Sequence, residues 1–253
     1  MVDMNIIKYK KSGTGKYKVE LDDGTSLVLY EDVILKYQLL ITKCIDSNDI
    51  DAINKDNIQE DVYYVALNSI KSRMRSINDL RVFLINKKYP IDMIDIAINK
   101  LIKQGYLNDE NYVRAYINNQ MITTSNGPDR IKKDLLDKKI DISIIDNNLD
   151  IFNEEEQVIK INKIIEKRIK SNNSRGGIVL KSKIYNDLKI LGYNSELINR
   201  VLCGYSFDND NELAKKEYEK LMRKYSRKYS GSELKRKVNE KMYMKGLKYE
   251  EVD

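Results

Sequence analysis

The chain has 253 residues, 42% hydrophobic and 33% charged, with a formal net charge of +6 and no histidine. This is the balance of a folded soluble protein rather than a disordered one, and the length suits two ordinary domains or a repeat array with one added module. Without histidine the commonest general base and metal ligand are missing, and Ser–His and Cys–His nucleophile pairs are excluded. No apolar run approaches the roughly 18 residues of a membrane span. The opening MVDMNIIKYKK lacks the apolar core of a signal peptide, so a cytoplasmic address is expected. Cys44 and Cys203 lie far apart and are expected to be buried thiols rather than a disulfide.

In chain order, residues 1–56 read as a small β module. NIIKYKK (5–11), KYKVEL (16–21) and TSLVLY (25–30) are rich in β-branched and aromatic residues, and Asp22-Asp23-Gly24 is a hairpin turn signal. EDVILKYQLL (31–40) predicts a short helix. A lone hairpin is marginal, so this sheet must pack on the helical region C-terminal to it.

From residue 57 the period becomes helical and a repeat emerges. Tyr89, Ile140, Tyr193 and Leu247 are spaced 51, 53 and 54 apart. Nine residues earlier stand Leu80, Ile131, Ile184 and Val238, and five earlier Leu84, Leu135, Leu188 and Met242. Five residues later come Ile94, Ile145, Ile198 and Val252, and nine later Ile98, Leu149 and Leu202. Such offsets suit a helix, a tight turn and a second helix. A longer helix precedes each pair, over 58–73, 109–123, 154–170 and 210–227. The expected fold is therefore mainly α: about four tandem three-helix repeats, elongated and curved, at 57–107, 108–152, 153–207 and a truncated 208–253.

Capping patterns agree with these boundaries. Asn153 precedes Glu156 by three residues and Asn209 precedes Glu212, while Ser76 with Asp79 and Ser230 with Glu233 start second helices. Pro90 and Pro128 fall at helix beginnings. In GYLNDENYVRAYI (105–117), Gly105 supplies a left-handed helix end, Tyr106 and Leu107 return to the core, and Asn108 or Asp109 caps the next helix. Asp109-Glu110 is thus expected to be structural, as carboxylates in a first turn suit the helix dipole.

No phosphate-binding loop, dinucleotide fingerprint or zinc-spaced cysteine pair is present, and no cofactor is expected. Arg175-Gly176-Gly177 reads as a flexible loop, and the acidic run at 154–156 as a capped first turn. Binding is left as the function class. The basic bias is concentrated after residue 210, where ten Lys and three Arg face eight acidic residues. Surface cations near helix starts are the candidate contacts: Arg73, Arg75, Arg81, Arg114, Arg130, Lys132, Lys133, Arg223 and Arg227. Tyr225 and Tyr229 interleave with the last two, a pattern that holds single-stranded nucleic acid by charge and stacking.

These residues resemble the recombination regulator RecX family. The match runs through Arg73-Met74-Arg75-Ser76, Asp79-Leu80, Gly105-Tyr106-Leu107-Asn108-Asp109-Glu110, Tyr112, Ala115-Tyr116, Gly127, Arg130-Ile131 and Leu135. It covers roughly 58–150, and the β module and extra C-terminal repeat look like longer Gram-positive members. The sequence departs at Lys88-Tyr89 and Lys139-Ile140, where the family often carries Lys-Gly. The resemblance implies a non-enzymatic, monomeric modulator of the RecA recombinase. Such a protein lies along the groove of the RecA–single-stranded DNA filament and inhibits ATP hydrolysis, strand exchange and co-protease activity. Nucleotide and magnesium would then belong to the partner. The alternative is an autonomous DNA-binding protein whose units work like helix-turn-helix modules.

Overall fold

The computed structural model describes residues 4–207 and 211–249. The cap expected at Asn209 and the apolar position Val252 lie outside them. Strands β1 (Met4–Gly13), β2 (Lys16–Leu21) and β3 (Ser26–Tyr30) form where expected, and a two-residue β4 (Cys44–Ile45), too short to show a period, joins them. The sheet is antiparallel in the order β3-β2-β1-β4, with register shifts in β1 at Ile6/Lys8 and Lys11/Gly13. The helix expected over 31–40 is broken in two: α1 (Glu31–Lys36) and α2 (Leu39–Thr42) meet at Gln38, whose φ of 52° is left-handed. Ile6, Val19, Leu29, Val33, Ile45 and Ile53 close the core of this module.

Ile53 belongs to α3 (Ile50–Ser72), which begins eight residues before the expected start at 58. Its first turns need few apolar residues because they cover only the small sheet. Asn57, on this early stretch, accepts a hydrogen bond from the Tyr30 N–H and donates to the Val28 carbonyl, so one side chain closes the outer edge of β3.

The remaining helices come in threes. After α3 come α4 (Ile77–Asn86) and α5 (Ile91–Lys103), then α6 (Asp109–Thr123), α7 (Pro128–Asp137) and α8 (Ile142–Leu149). Next are α9 (Glu154–Lys170), α10 (Gly177–Ile190) and α11 (Ser195–Leu202), and finally α12 (Asn211–Tyr225) and α13 (Gly231–Met244). The repeated apolar positions form the core: Leu80, Ile131, Ile184 and Val238 are all 0% exposed. Each such side chain contributes about 1.5–3 kcal/mol by leaving water. Leu149 is an exception, only half-buried, and its neighbour Asn148 takes the buried place.

Caps form at Ser76, which accepts from the Asp79 N–H, and at Asn153, which accepts from the Glu156 N–H. Ser230 makes no side-chain cap, because Gly231 at φ 56° turns the backbone at the first helical residue. Neither cysteine is buried as expected. Cys44 is half-buried in the edge strand β4 and Cys203 is exposed at the end of α11, and both are free.

The chain divides into two compact units. The first runs to Tyr112 and includes residues 138–140, and the second holds 113–137 and 141 onward. In the first, Asp61 of α3 accepts hydrogen bonds from Tyr30 (2.6 Å), Tyr89 (2.5 Å) and Lys16 (2.9 Å), tying sheet, helix and the α4–α5 turn together. Tyr89 is therefore only partly buried at a position filled elsewhere by core side chains.

In the second unit, backbone meets backbone. The Gly127 N–H donates to the Leu191 carbonyl at 2.7 Å and the Asp129 N–H to the Gly192 carbonyl at 3.0 Å. The Gly176 N–H likewise donates to the Lys245 carbonyl at 2.8 Å. A Cβ on Gly177 would sit 1.6 Å from the Phe207 carbonyl oxygen. Arg175-Gly176-Gly177, expected as a flexible loop, is the lead-in to α10, with Gly176 as its N-cap and Gly177, the first helical residue, pressed against that carbonyl. Two residues past the second helix of each set the backbone is left-handed: Lys88 (66°), Lys139 (59°), Gly192 (89°) and Gly246 (69°).

Candidate functional site

Helix α3 stops at Ser72 and the chain turns extended at Arg73, with φ −159° and ψ 147°. Four residues later α4 begins, locked by the fully buried Ser76 cap. Between them Arg75 is held with its guanidinium over the Phe83 ring, 4.5 Å from the centroid. Its Nε is buried without a hydrogen-bond partner among the described residues. Burial, then the nearby Arg73, push the guanidinium below its ordinary value; it stays cationic nonetheless.

A hollow of about 410 Å³ opens here, its walls carrying Arg73, Arg75, Asp79, Phe83, Tyr112 and Lys138. Asp79 is engaged by Lys138 at 3.2 Å, and Lys138 also faces the Tyr112 ring at 5.9 Å. A second hollow of about 300 Å³ shares Met74, Arg75 and Tyr112 and extends to Tyr106 and Asn111. Tyr106 does not return to the core: it is 56% exposed, while Leu107 beside it is buried, because Gly105 at φ 75° turns only one of the two inward.

Asp109 has a structural role. Its carboxylate accepts from the Ile77 N–H at 2.8 Å, completing the first turn of α4, while Asn108 caps α6 by accepting from the Asn111 N–H. Burial raises its carboxyl above the usual range.

The other candidate cations are dispersed. Arg81 pairs with Asp95, Arg130 with Asp134 at 3.2 Å, and Lys132 with Asp146. Arg114 donates from Nε to Asn148 at 2.7 Å, and Arg223 lies along Glu219. Lys133 and Arg227 are exposed. The basic tail is partly paired within itself, with the buried Glu217 held by Lys245 and Lys220. A separate hollow of about 420 Å³ beside α10 and α11 is lined by Lys181, Tyr185 and Asn199 and brings a single cation.

Only Arg73 and Arg75 of the nine therefore share one recess. Lys138, Met74 and Tyr106 join them there, although none was singled out as a contact in the sequence. The Arg-Met-Arg-Ser and Gly-Tyr-Leu-Asn stretches, adjacent in space, were the available signal. The recess can bind and orient an anionic group. Among the described residues no cluster of three or more His, Cys, Asp or Glu is placed to hold a metal ion, and no helix is long and apolar enough to cross a membrane.

Comparison with known proteins found no matching family model. The chain is similar to the regulatory protein RecX of Lactococcus lactis, 31% identical over 246 residues, covering 93% of this chain and 91% of that protein. RecX of Listeria monocytogenes is 28% identical over 250 residues, covering 97% and 93%. Among solved structures, a crystal structure of regulatory protein RecX superimposes with a TM-score of 0.68 at 23% identity, covering 78% of this chain and 98% of that one. RecX from Lactobacillus salivarius gives 0.56 at 27% identity, covering 59% and 97%.

Proposed function

The chain belongs to the RecX family of regulatory proteins, and from that premise we propose that it regulates the RecA recombinase by direct, stoichiometric binding. In this reading it acts in the cytoplasm as a monomer and lies along the groove of the RecA–single-stranded DNA filament. It restrains ATP hydrolysis, strand exchange and co-protease activity without making or breaking a bond itself. The repeats at 57–107, 108–152, 153–207 and 208–253 would each offer a face to successive RecA subunits, so that affinity is spread over several weak contacts.

The observation that most supports this reading is the recess around Arg75, where two motif stretches bring Arg73 and Arg75, without carboxylate partners among the described residues, beside exposed apolar side chains. Interfaces between proteins favour Arg and Met in this way. Arg73, Lys133 and Arg227 are further candidate contacts. Arg81, Arg114, Arg130, Lys132 and Arg223 would have to exchange their present partners to bind, which makes each a weaker contributor.

Titration of the protein into pre-formed RecA filaments, following ATP turnover and filament length together, tests the proposal. Turnover is expected to fall near one protein per few RecA subunits. If turnover is unchanged at equimolar protein, the proposal fails. The alternative, autonomous DNA binding, requires tight binding to naked DNA with a salt slope reflecting several released counterions.

A further inference from the structure

The Arg75 recess has features that discriminate between its possible anionic ligands. We infer that it is the docking point for an acidic, partly apolar segment of a protein partner, whose carboxylate is received by the Arg75 guanidinium. This rests on the RecA reading above for the partner's identity, but the recess itself can be tested without it.

Three observations favour a carboxylate on a peptide over the phosphates of a nucleic acid. The guanidinium is fixed in advance by stacking on Phe83 and has no carboxylate partner among the described residues, so a planar two-oxygen ligand meets a fork already in place. Of the rings on the recess walls, Phe83 and the buried Tyr112 are covered by cations, and one, Tyr106 at the margin, is open to stack a base. Phe83 is flanked by Arg75 and by Lys87 at 5.4 Å, and Tyr112 is faced by Lys138. Sequence-tolerant binding of single strands stacks successive bases on such free rings. Finally, the rim sets apolar side chains between its cations, where a phosphodiester chain would find no polar partner. Met74 is 57% exposed and Val82 46%, and Asp79 adds a negative charge to the wall. An acidic side chain flanked by apolar ones matches all three features.

The test uses the full chain. Arg75→Glu is expected to raise the concentration that half-inhibits the ATPase of RecA filaments about tenfold, the loss typical of a buried arginine anchor. Arg75→Lys should lose nearly as much, because an ammonium cannot reproduce the two-pronged contact. Met74→Glu, at an exposed position that leaves the core intact, guards against misfolding and should also weaken inhibition. Lys55→Glu, an exposed charge change on α3 outside the recess, should not. Binding to an oligothymidylate should stay within about twofold for all four, since phosphate affinity is shared among many cations.

Two results would overturn the assignment. One is that Arg75→Glu weakens oligothymidylate binding in step with filament inhibition, which makes the recess a phosphate site. The other is that Arg75→Lys inhibits like the parent. If the unmodified protein leaves RecA untouched, the RecA reading fails by itself. The recess is then judged from the Arg75 Nε–H resonance, identified by its loss in Arg75→Lys, during titration with an acetylated Glu-Leu-Glu-Phe-Glu peptide, its glutamine counterpart and the oligothymidylate. A shift with the glutamate peptide alone supports the assignment. A shift with the oligonucleotide, or with none of the three, refutes it.

Discussion

In the first unit one carboxylate, Asp61, gathers Tyr30, Tyr89 and Lys16 to join a sheet, a helix and a turn. The second unit closes its junctions with glycines that let one backbone rest on another, Gly127 on Gly192 and Gly177 on Phe207. A side-chain hub weakens in steps, as each partner is removed or titrated. A glycine junction has no side chain to yield, so the smallest addition displaces backbone. The same kind of association is thus graded in one place and all-or-none in the other.

The largest effect expected from this contrast is at Gly192. Alanine there would keep a φ of 89° and put its Cβ 2.4 Å from the Arg130 nitrogen. A loss of about 3 kcal/mol is expected from strain and overpacking together, seen as a lower urea midpoint. Gly15→Ala provides the comparison, because its φ is 68° but its Cβ would lie an ordinary 3.7 Å from the Tyr64 ring. Its cost should be nearer 1 kcal/mol, the backbone share alone. Equal losses at the two sites would show that close approach is not what the second unit depends on.

Next in size is Asp61→Asn, which keeps the shape of the hub but removes its charge. A loss of about 2 kcal/mol near neutral pH is expected, as for hydrogen bonds to a charged group. Burial alone would raise the Asp61 carboxyl, but the bonds from Tyr30, Tyr89 and Lys16 outweigh it and hold it below the usual range. Its stabilisation is therefore present above the unfolded carboxylate value of about 4 and is lost as pH falls through the folded one. Burial and then Asp61 push the Tyr30 and Tyr89 phenols well above their ordinary value. Their share is accordingly complete below about pH 10 and lost as pH rises further. Asp109 is the opposite case. Its raised carboxyl favours the fold at low pH, so Asp109→Asn, which can still accept from Ile77, should cost little or slightly stabilise at neutral pH. Urea titrations from about pH 3 to about pH 8 separate the two carboxylates: an unchanged acid slope in Asp61→Asn would dismiss the hub.

The smallest effect lies at the left-handed turn positions. Lys88 and Lys139 occupy the conformation that Gly192 and Gly246 hold without penalty. Lys88→Gly and Lys139→Gly should each stabilise by about 0.5–1 kcal/mol, readable as a rise in thermal midpoint. A loss instead would mean that these lysines are held by contacts stronger than the backbone strain.

Much of the helical architecture was legible because its signal is periodic. Leu80, Ile131, Ile184 and Val238 recur in phase, and all are sealed in the core. Caps at Ser76 and Asn153 were equally readable, being local. What escaped depends on contacts distant in sequence. The early start of α3 is set by a sheet it covers, the role of Gly177 by a carbonyl thirty residues on, and the burial of Asn148 by Arg114. In the candidate site, Arg73 and Arg75 were visible as charge, but the recess was not. Tyr106, Met74 and Lys138 enter it only through the packing of three helix ends. Charge counting also gave no means of separating Arg75 from Arg81, whose carboxylate partner sits fourteen residues away.

Asn57 carries a consequence beyond the sheet it borders. A bare strand edge invites pairing with any passing chain, and here the guard against it is an amide mounted on the opening turns of a neighbouring helix. Loosening those turns would uncover β3 at the same moment that it exposes the module's core. Protection from self-association is therefore not a property of the strand but of the helix being wound, and the two are gained and lost together.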